Sequence, residues 1–163
     1  MAEIAHPPEE ADNFAARINA AGEGWMHAMG IVVTAASADE VRCELEVDSR
    51  HHQGYGVVHG GVHSGIVETL ASIGAALYAM PRGQSVVGLE NHTSFMRAVR
   101  SGKLHARATP LTRGRRSQVW EASIWDEQER LVATGRVRLI SLDAGAELAG
   151  EQVRTGLKPP EPL

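Results

Sequence analysis

At 163 residues the chain is sized for one domain with a real core, and 43% hydrophobic with 22% charged residues is an ordinary globular composition. A net charge of −4 supplies no basic field for nucleic acid or an anionic membrane, and the single cysteine, Cys43, excludes an intramolecular disulfide and fits a reducing compartment. The acidic start "MAEIAHPPEEADNF" lacks the apolar stretch of a signal peptide, and Glu68 breaks the longest apolar run, so a cytoplasmic protein without a membrane span is expected.

Residues 1–10, with Pro7 and Pro8, read as a loose tail, and 11–21 as a short helix stopped by Gly22 and Gly24; together they make an N-terminal segment, 1–24. "GIVVTAAS" and "DEVRCELEVD" read as two strands. In the second, Val41, Cys43, Leu45 and Val47 alternate with Arg42, Glu44, Glu46 and Asp48, which gives one buried and one wet face and makes Cys43 a core residue. A buried helix is expected over 62–80, stopped by Pro81 and Gly83. "SVVGLENHTSFMRAV", "GKLHARATPLTR", "RSQVWEASIWDE" and "ERLVATGRVRLISL" follow as strands with short polar joints, suggesting hairpins in an antiparallel meander. From Asp143 the chain is mixed and Pro-terminated, and 143–163 is expected to be a mobile tail. The working domain is therefore 25–142. Its class is α+β: an antiparallel sheet of five or six strands wraps one long central helix, leaving sheet edges for a partner subunit.

Glu68 is the one Asp, Glu, Lys or Arg between Arg50 and Arg82, and it falls inside the apolar helix. A buried carboxylate must be paired, hydrated or shifted in pKa. Its helix neighbours Gly61, Ser64, Gly65, Ala71, Ser72 and Ala75 are all small, whereas Ile66, Leu70, Ile73 and Leu77 carry the spacing of a core face. Space beside the carboxylate suggests chemistry; the structural alternative is an ion pair with a strand arginine such as Arg97 or Arg107. At the helix start, "HGG" (His59, Gly60, Gly61) brings bare backbone to the positive dipole end, where free N–H groups favour a developing oxyanion; otherwise it is a plain turn.

Gly60 and Glu68 are eight residues apart, about 12 Å along a helix axis. An attacking oxygen and an oxyanion donor must meet at one carbonyl, so a single helix supplies both poorly. Two helices related by a two-fold axis supply both, and the active unit is expected to be at least a dimer.

"GVVHGGVHSGIVETLAS" followed by "NHTSFMRAVRSGKLHARA" resembles the hotdog-fold acyl-CoA thioesterases, nearest the Arthrobacter-type 4-hydroxybenzoyl-CoA thioesterases of the wider phenylacetate-pathway group, over residues 30–142. The resemblance implies the hotdog fold, homodimers paired into homotetramers, an acyl-CoA substrate with an aromatic or short to medium acyl group, and no cofactor, since coenzyme A belongs to the substrate. It implies Glu68 as nucleophile or general base, the Gly60 N–H as the group polarising the carbonyl, Gln53 as a holder of carbonyl or water, Ser72 as a hydroxyl assistant and His59 as a shaper of the loop. Gly61, Asn91, His92, Arg97, Arg113, Arg115, Arg116 and Ser117 are expected to contact substrate or coenzyme A. Arg115 and Arg116 depart from the small hydroxyl residues that the resembling enzymes carry there, and many relatives have Asn and Asp in place of Gln53 and Glu68.

From the residues alone, "TRGRRS" is the best phosphate-binding cluster, with Arg97, Arg100 and Lys103 as another, and a solvated turn as the alternative. No G-x-S-x-G elbow is present. His51, His52, His59 and His63 raise a zinc reading, but the spacing is not H-E-x-x-H and no metal is expected. The remaining alternatives are an acyl-thioester hydratase or dehydratase of the same fold and a non-catalytic acyl-CoA-binding protein.

Overall fold

The structure, a computed structural model, describes residues 14–21 and 24–153. The expected first helix is present as α1 (Ala15–Ala20), with the rest of the loose tail outside the described residues, and a second short helix, α2 (Gly24–Ala28), follows it. Strands β1 (Val32–Ala36) and β2 (Val41–Val47) precede the long helix α3 (Gly60–Ala79). Then come β3 (Ser85–Phe95), β4 (Gly102–Arg113), β5 (Ser117–Trp125) and β6 (Leu131–Leu142). Within the segment expected as a mobile tail, β7 (Glu147–Leu148) and β8 (Glu151–Gln152) pair as a small hairpin. Residues 154–163 lie outside the described residues.

The main sheet has six strands in the order β1-β2-β4-β5-β6-β3, all neighbours antiparallel. The expected meander holds for β4, β5 and β6 but fails for β3, which pairs with β6 at the sheet edge rather than with β4. The link 96–101 is not a hairpin turn. Six residues reach up to about 20 Å, more than three strand spacings of about 4.8 Å, so the chain crosses the ends of β6 and β5 to start β4. Bonds from Met96 and Arg97 N–H to Val132 O, and from Val58 N–H to Val99 O, tie that crossing down.

Helix α3 is apolar nearly all round because the sheet wraps it. Ile66, Leu70 and Leu77 are buried against strand residues such as Leu45, Leu104 and Ile124, while Ile73 is only partly covered. Each such side chain contributes about 1.5–3 kcal/mol when buried. Among the described residues no helix is long and apolar enough to cross a membrane.

One polar thread fixes the helix on the sheet. The buried Gln118 amide donates to Ala75 O at 3.1 Å, and Trp120 Nε1 donates to Gln118 Oε1 at 3.0 Å. The fully buried Trp120 indole lies so close to Gly74 that a β-carbon there would collide with it. Gly74→Val should therefore destabilise by about 3 kcal/mol, the upper end of the usual overpacking cost. Denaturant unfolding would measure it, and an unshifted midpoint would show that the indole does not dictate residue 74.

Candidate active site

The start of α3 is positioned by a run of backbone and histidine contacts. Asp48 caps a turn at Ser49–His51, and the buried His51 ring accepts the Asp48 N–H at Nδ1 (2.9 Å) while its Nε2–H faces Met29 O (2.8 Å). His51 O in turn accepts the His59 N–H at 2.8 Å. His59 is the N-cap of α3, its Nδ1 accepting the Gly61 N–H at 2.8 Å. The cap has two consequences: His59 shapes the loop, and the Gly61 amide, expected to contact substrate, is already spent. The Gly60 N–H, by contrast, donates to no group among the described residues.

Gly60 lies under the Phe95 ring, where a β-carbon would sit 2.8 Å from Cε2, so a larger residue there would push the exposed ring aside. A cleft of about 300 Å³ opens here, with Gln53, Gly60, His63, Phe95 and Arg97 in its lining. The Gln53 side chain makes no hydrogen bond within the described chain, and Gln53 and Gly60 both line the cleft.

His63, considered in the sequence only as a metal ligand, is a wall of this cleft. It is 3% exposed, its Nδ1 has no hydrogen-bond partner, and its ring centroid lies 6.1 Å from that of Phe95. Burial pushes its pKa down to about 4. No three His, Cys, Asp or Glu side chains among the described residues converge to hold a metal ion.

Glu68 is half-buried two turns further along α3 and is absent from the lining of that cleft. Asn91 of β3 donates through Nδ2 to Glu68 Oε2 and to Ser64 O, both at 3.0 Å, and Thr93 Oγ1 donates to Asn91 Oδ1 at 2.7 Å. Glu68 Oε1 rests against Gly88, where a β-carbon would collide with it, and β3 bulges between Gly88 and Glu90. A glycine inside a strand signals such a bulge or close approach, so "VVGLEN" held a clue to the site that the sequence reading passed over. The alternative of a structural ion pair is not formed: Arg107 pairs with Glu40, and Arg97 lines the Gly60 cleft. Ser72 lies one turn on from Glu68, half-buried, with no hydrogen bond to the carboxylate.

The two expected basic clusters do not assemble. Arg113 is tied to Asp39 (2.6 Å) and Ala38 O (2.9 Å) and packs over the Tyr78 ring, so it braces the fold. Arg100 donates to Tyr55 O and Gly56 O, and Lys103 pairs with Glu44 at 2.8 Å. Arg115 and Arg116 stand exposed in the turn before Ser117, itself exposed, and His92 is exposed on β3 opposite Arg136. Cys43 is a core thiol whose pKa burial pushes up to about 12.

The thioesterase superfamily profile matches residues 55–133. The proofreading thioesterase EntH of Klebsiella pneumoniae is 40% identical over 123 residues, 75% of this chain and 89% of that protein. A Mycobacterium tuberculosis protein provisionally named an esterase is 42% identical over 118 residues, 71% of this chain and 84% of its own. Its solved structure superposes with a TM-score of 0.72, covering 73% of this chain and 96% of that one. The crystal structure of a Haemophilus influenzae thioesterase gives a TM-score of 0.74 at 35% identity, covering 79% and 90% of the two chains.

The buried ring of His63 carries a pH signature. Between an unfolded-state pKa near 6.5 and a folded one of about 4, the unfolded chain binds a proton that the native ring refuses, so stability falls as pH drops through that window. His63→Leu should lose less stability than wild type between about pH 7 and about pH 4.5 in denaturant titrations. Parallel losses would mean that the ring titrates normally in the fold.

Proposed function

Since this chain belongs to the thioesterase superfamily, with the hotdog fold and thioester hydrolysis that go with it, we propose that its substrate is an acyl-CoA carrying an aromatic or short acyl group. In this reading the active site is built across a two-fold dimer. The Gly60 N–H and Gln53 amide of one subunit receive the thioester carbonyl, and Glu68 of the partner subunit delivers the attacking oxygen, its own or that of a water it deprotonates. The new C–O bond displaces coenzyme A as thiolate, with the negative charge of the tetrahedral intermediate held at the Gly60 amide.

The observation that carries this reading is the split between two half-sites on one helix. An unused amide and a free Gln53 side chain face one cleft, and a carboxylate held by Asn91 stands about 12 Å along the same axis, outside that cleft. The exposed edge of β3, with Gly88, Leu89, Glu90, Asn91 and His92 all open, supports pairing of two copies beside Glu68. With Arg113 and Lys103 discounted, the exposed Arg115 and Arg116 of the turn and Arg97 at the Gly60 cleft are candidates for the coenzyme A phosphates.

Glu68→Gln should lower kcat on a hydrolysed acyl-CoA at least about 10²-fold with KM little changed, because acid–base assistance is lost while carbonyl contacts remain. Full turnover in that variant would remove Glu68 from the chemistry. The shared site makes a second demand. Glu68→Gln and Gln53→Ala, each impaired alone, should regain about a quarter of wild-type activity when co-refolded, since half the dimers then hold one site with neither substitution. No regain would place both groups in one subunit.

A further inference from the structure

We infer that Trp25 forms the acyl-recognition wall of the Glu68 half-site, a flat surface on which a planar aromatic acyl group stacks and which a long alkyl chain cannot pass. This rests on the acyl-CoA reading above and deepens it.

The indole of Trp25, on α2, presses its benzo edge onto Gly65 of α3, so closely that a β-carbon at 65 would collide with it. At 3.6 residues per turn, Gly65 lies about 60° to one side of Glu68 and Ser64 about 40° to the other. Asn91 binds Ser64 O and Glu68 Oε2, so β3 flanks the carboxylate on the Ser64 side. Trp25 flanks it on the Gly65 side. The carboxylate thus sits at the floor of a trough with a strand for one wall and an indole for the other.

Trp25 remains 43% exposed although its edge is seated on the helix. An edge-on contact of that kind leaves ring face uncovered. A half-exposed tryptophan whose tip is docked on a glycine one turn from a held carboxylate offers stacking area and a polar neighbour together. The indole also occupies the space that Gly65 leaves on the small-residue face of α3. A chain running along that face from Glu68 meets the ring within one turn.

The position of the wall is fixed by the same segment that builds the other half-site. Arg50 donates to Ala28 O at 3.0 Å and His51 Nε2 to Met29 O at 2.8 Å, so the end of α2 is bonded to the run leading to Gln53, His59 and Gly60. Recognition wall and oxyanion donor therefore keep a set relationship within each subunit.

The test is a panel of benzoyl-, phenylacetyl-, butyryl- and dodecanoyl-CoA with wild type, Trp25→Leu and Trp25→Phe, each checked for folding by circular dichroism. Trp25→Leu should lose about tenfold in kcat/KM on benzoyl-CoA, mainly through KM, and gain on dodecanoyl-CoA. Trp25→Phe keeps a ring face and should hold the benzoyl preference. An unchanged benzoyl-to-dodecanoyl ratio in Trp25→Leu overturns this inference alone; if that variant does not fold, a Trp25→Phe enzyme that has lost its benzoyl preference overturns it. A wild type inert toward the whole panel overturns the acyl-CoA reading and takes the inference with it.

Discussion

A carboxylate on a helix that is otherwise apolar must be held by something, and here the edge strand does it. Asn91 turns one amide toward both Glu68 Oε2 and the helix carbonyl of Ser64, while Thr93 fixes the other end of that amide. Gly88 leaves the volume that the second carboxylate oxygen occupies. Among the described residues no cation pairs with Glu68, so the group is oriented without being neutralised by a neighbour. An ion pair would have met the burial cost as well but would have tied up the charge that the proposed chemistry uses.

That clamp explains the placing of β3. The strand leaves its sequence neighbour β4 and pairs with β6, which puts Gly88 and Asn91 at the sheet edge over the middle of α3. An edge is the place in a sheet where a bulge is cheap, and the register slips at Leu89, between the glycine and the asparagine. The same edge leaves Leu89 half exposed beside a carboxylate, a surface suited to a second copy of the chain. Fold, clamp and proposed dimer are consequences of one topological choice.

Much of this was legible in the residues. Period-two alternation in 41–48 and the apolar run of α3 announced the sheet and its central helix, and an isolated acid in that run pointed to the candidate site. The edge position of β3 was not legible, because a short polar joint reads as a hairpin whether the chain turns back or crosses two strands. The basic clusters misled for a related reason: Arg113 and Lys103 look free in the sequence, yet their partners Asp39 and Glu44 come from strands and turns far away in the chain. Trp25 and His63 could not be placed, since nothing local tells that one docks on Gly65 and the other walls a cleft.

The sparseness of the proposed site bears on what it could hydrolyse. One oxyanion donor contributes about 10²–10³-fold and one positioned acid–base group about 10²–10⁴-fold, together about 10⁴–10⁷-fold. That reaches only the lower end of enzymatic accelerations, which run from about 10⁶ upward. An amide or alkyl ester, with strong resonance and a poor leaving group, asks for more than this constellation offers. A thioester has weak resonance and expels a stabilised thiolate, so it needs no serine nucleophile and no histidine relay. His63 agrees with that economy: buried and held neutral, it bounds the cleft without serving as a proton carrier near neutral pH, and in the proposed mechanism the proton traffic falls to one carboxylate.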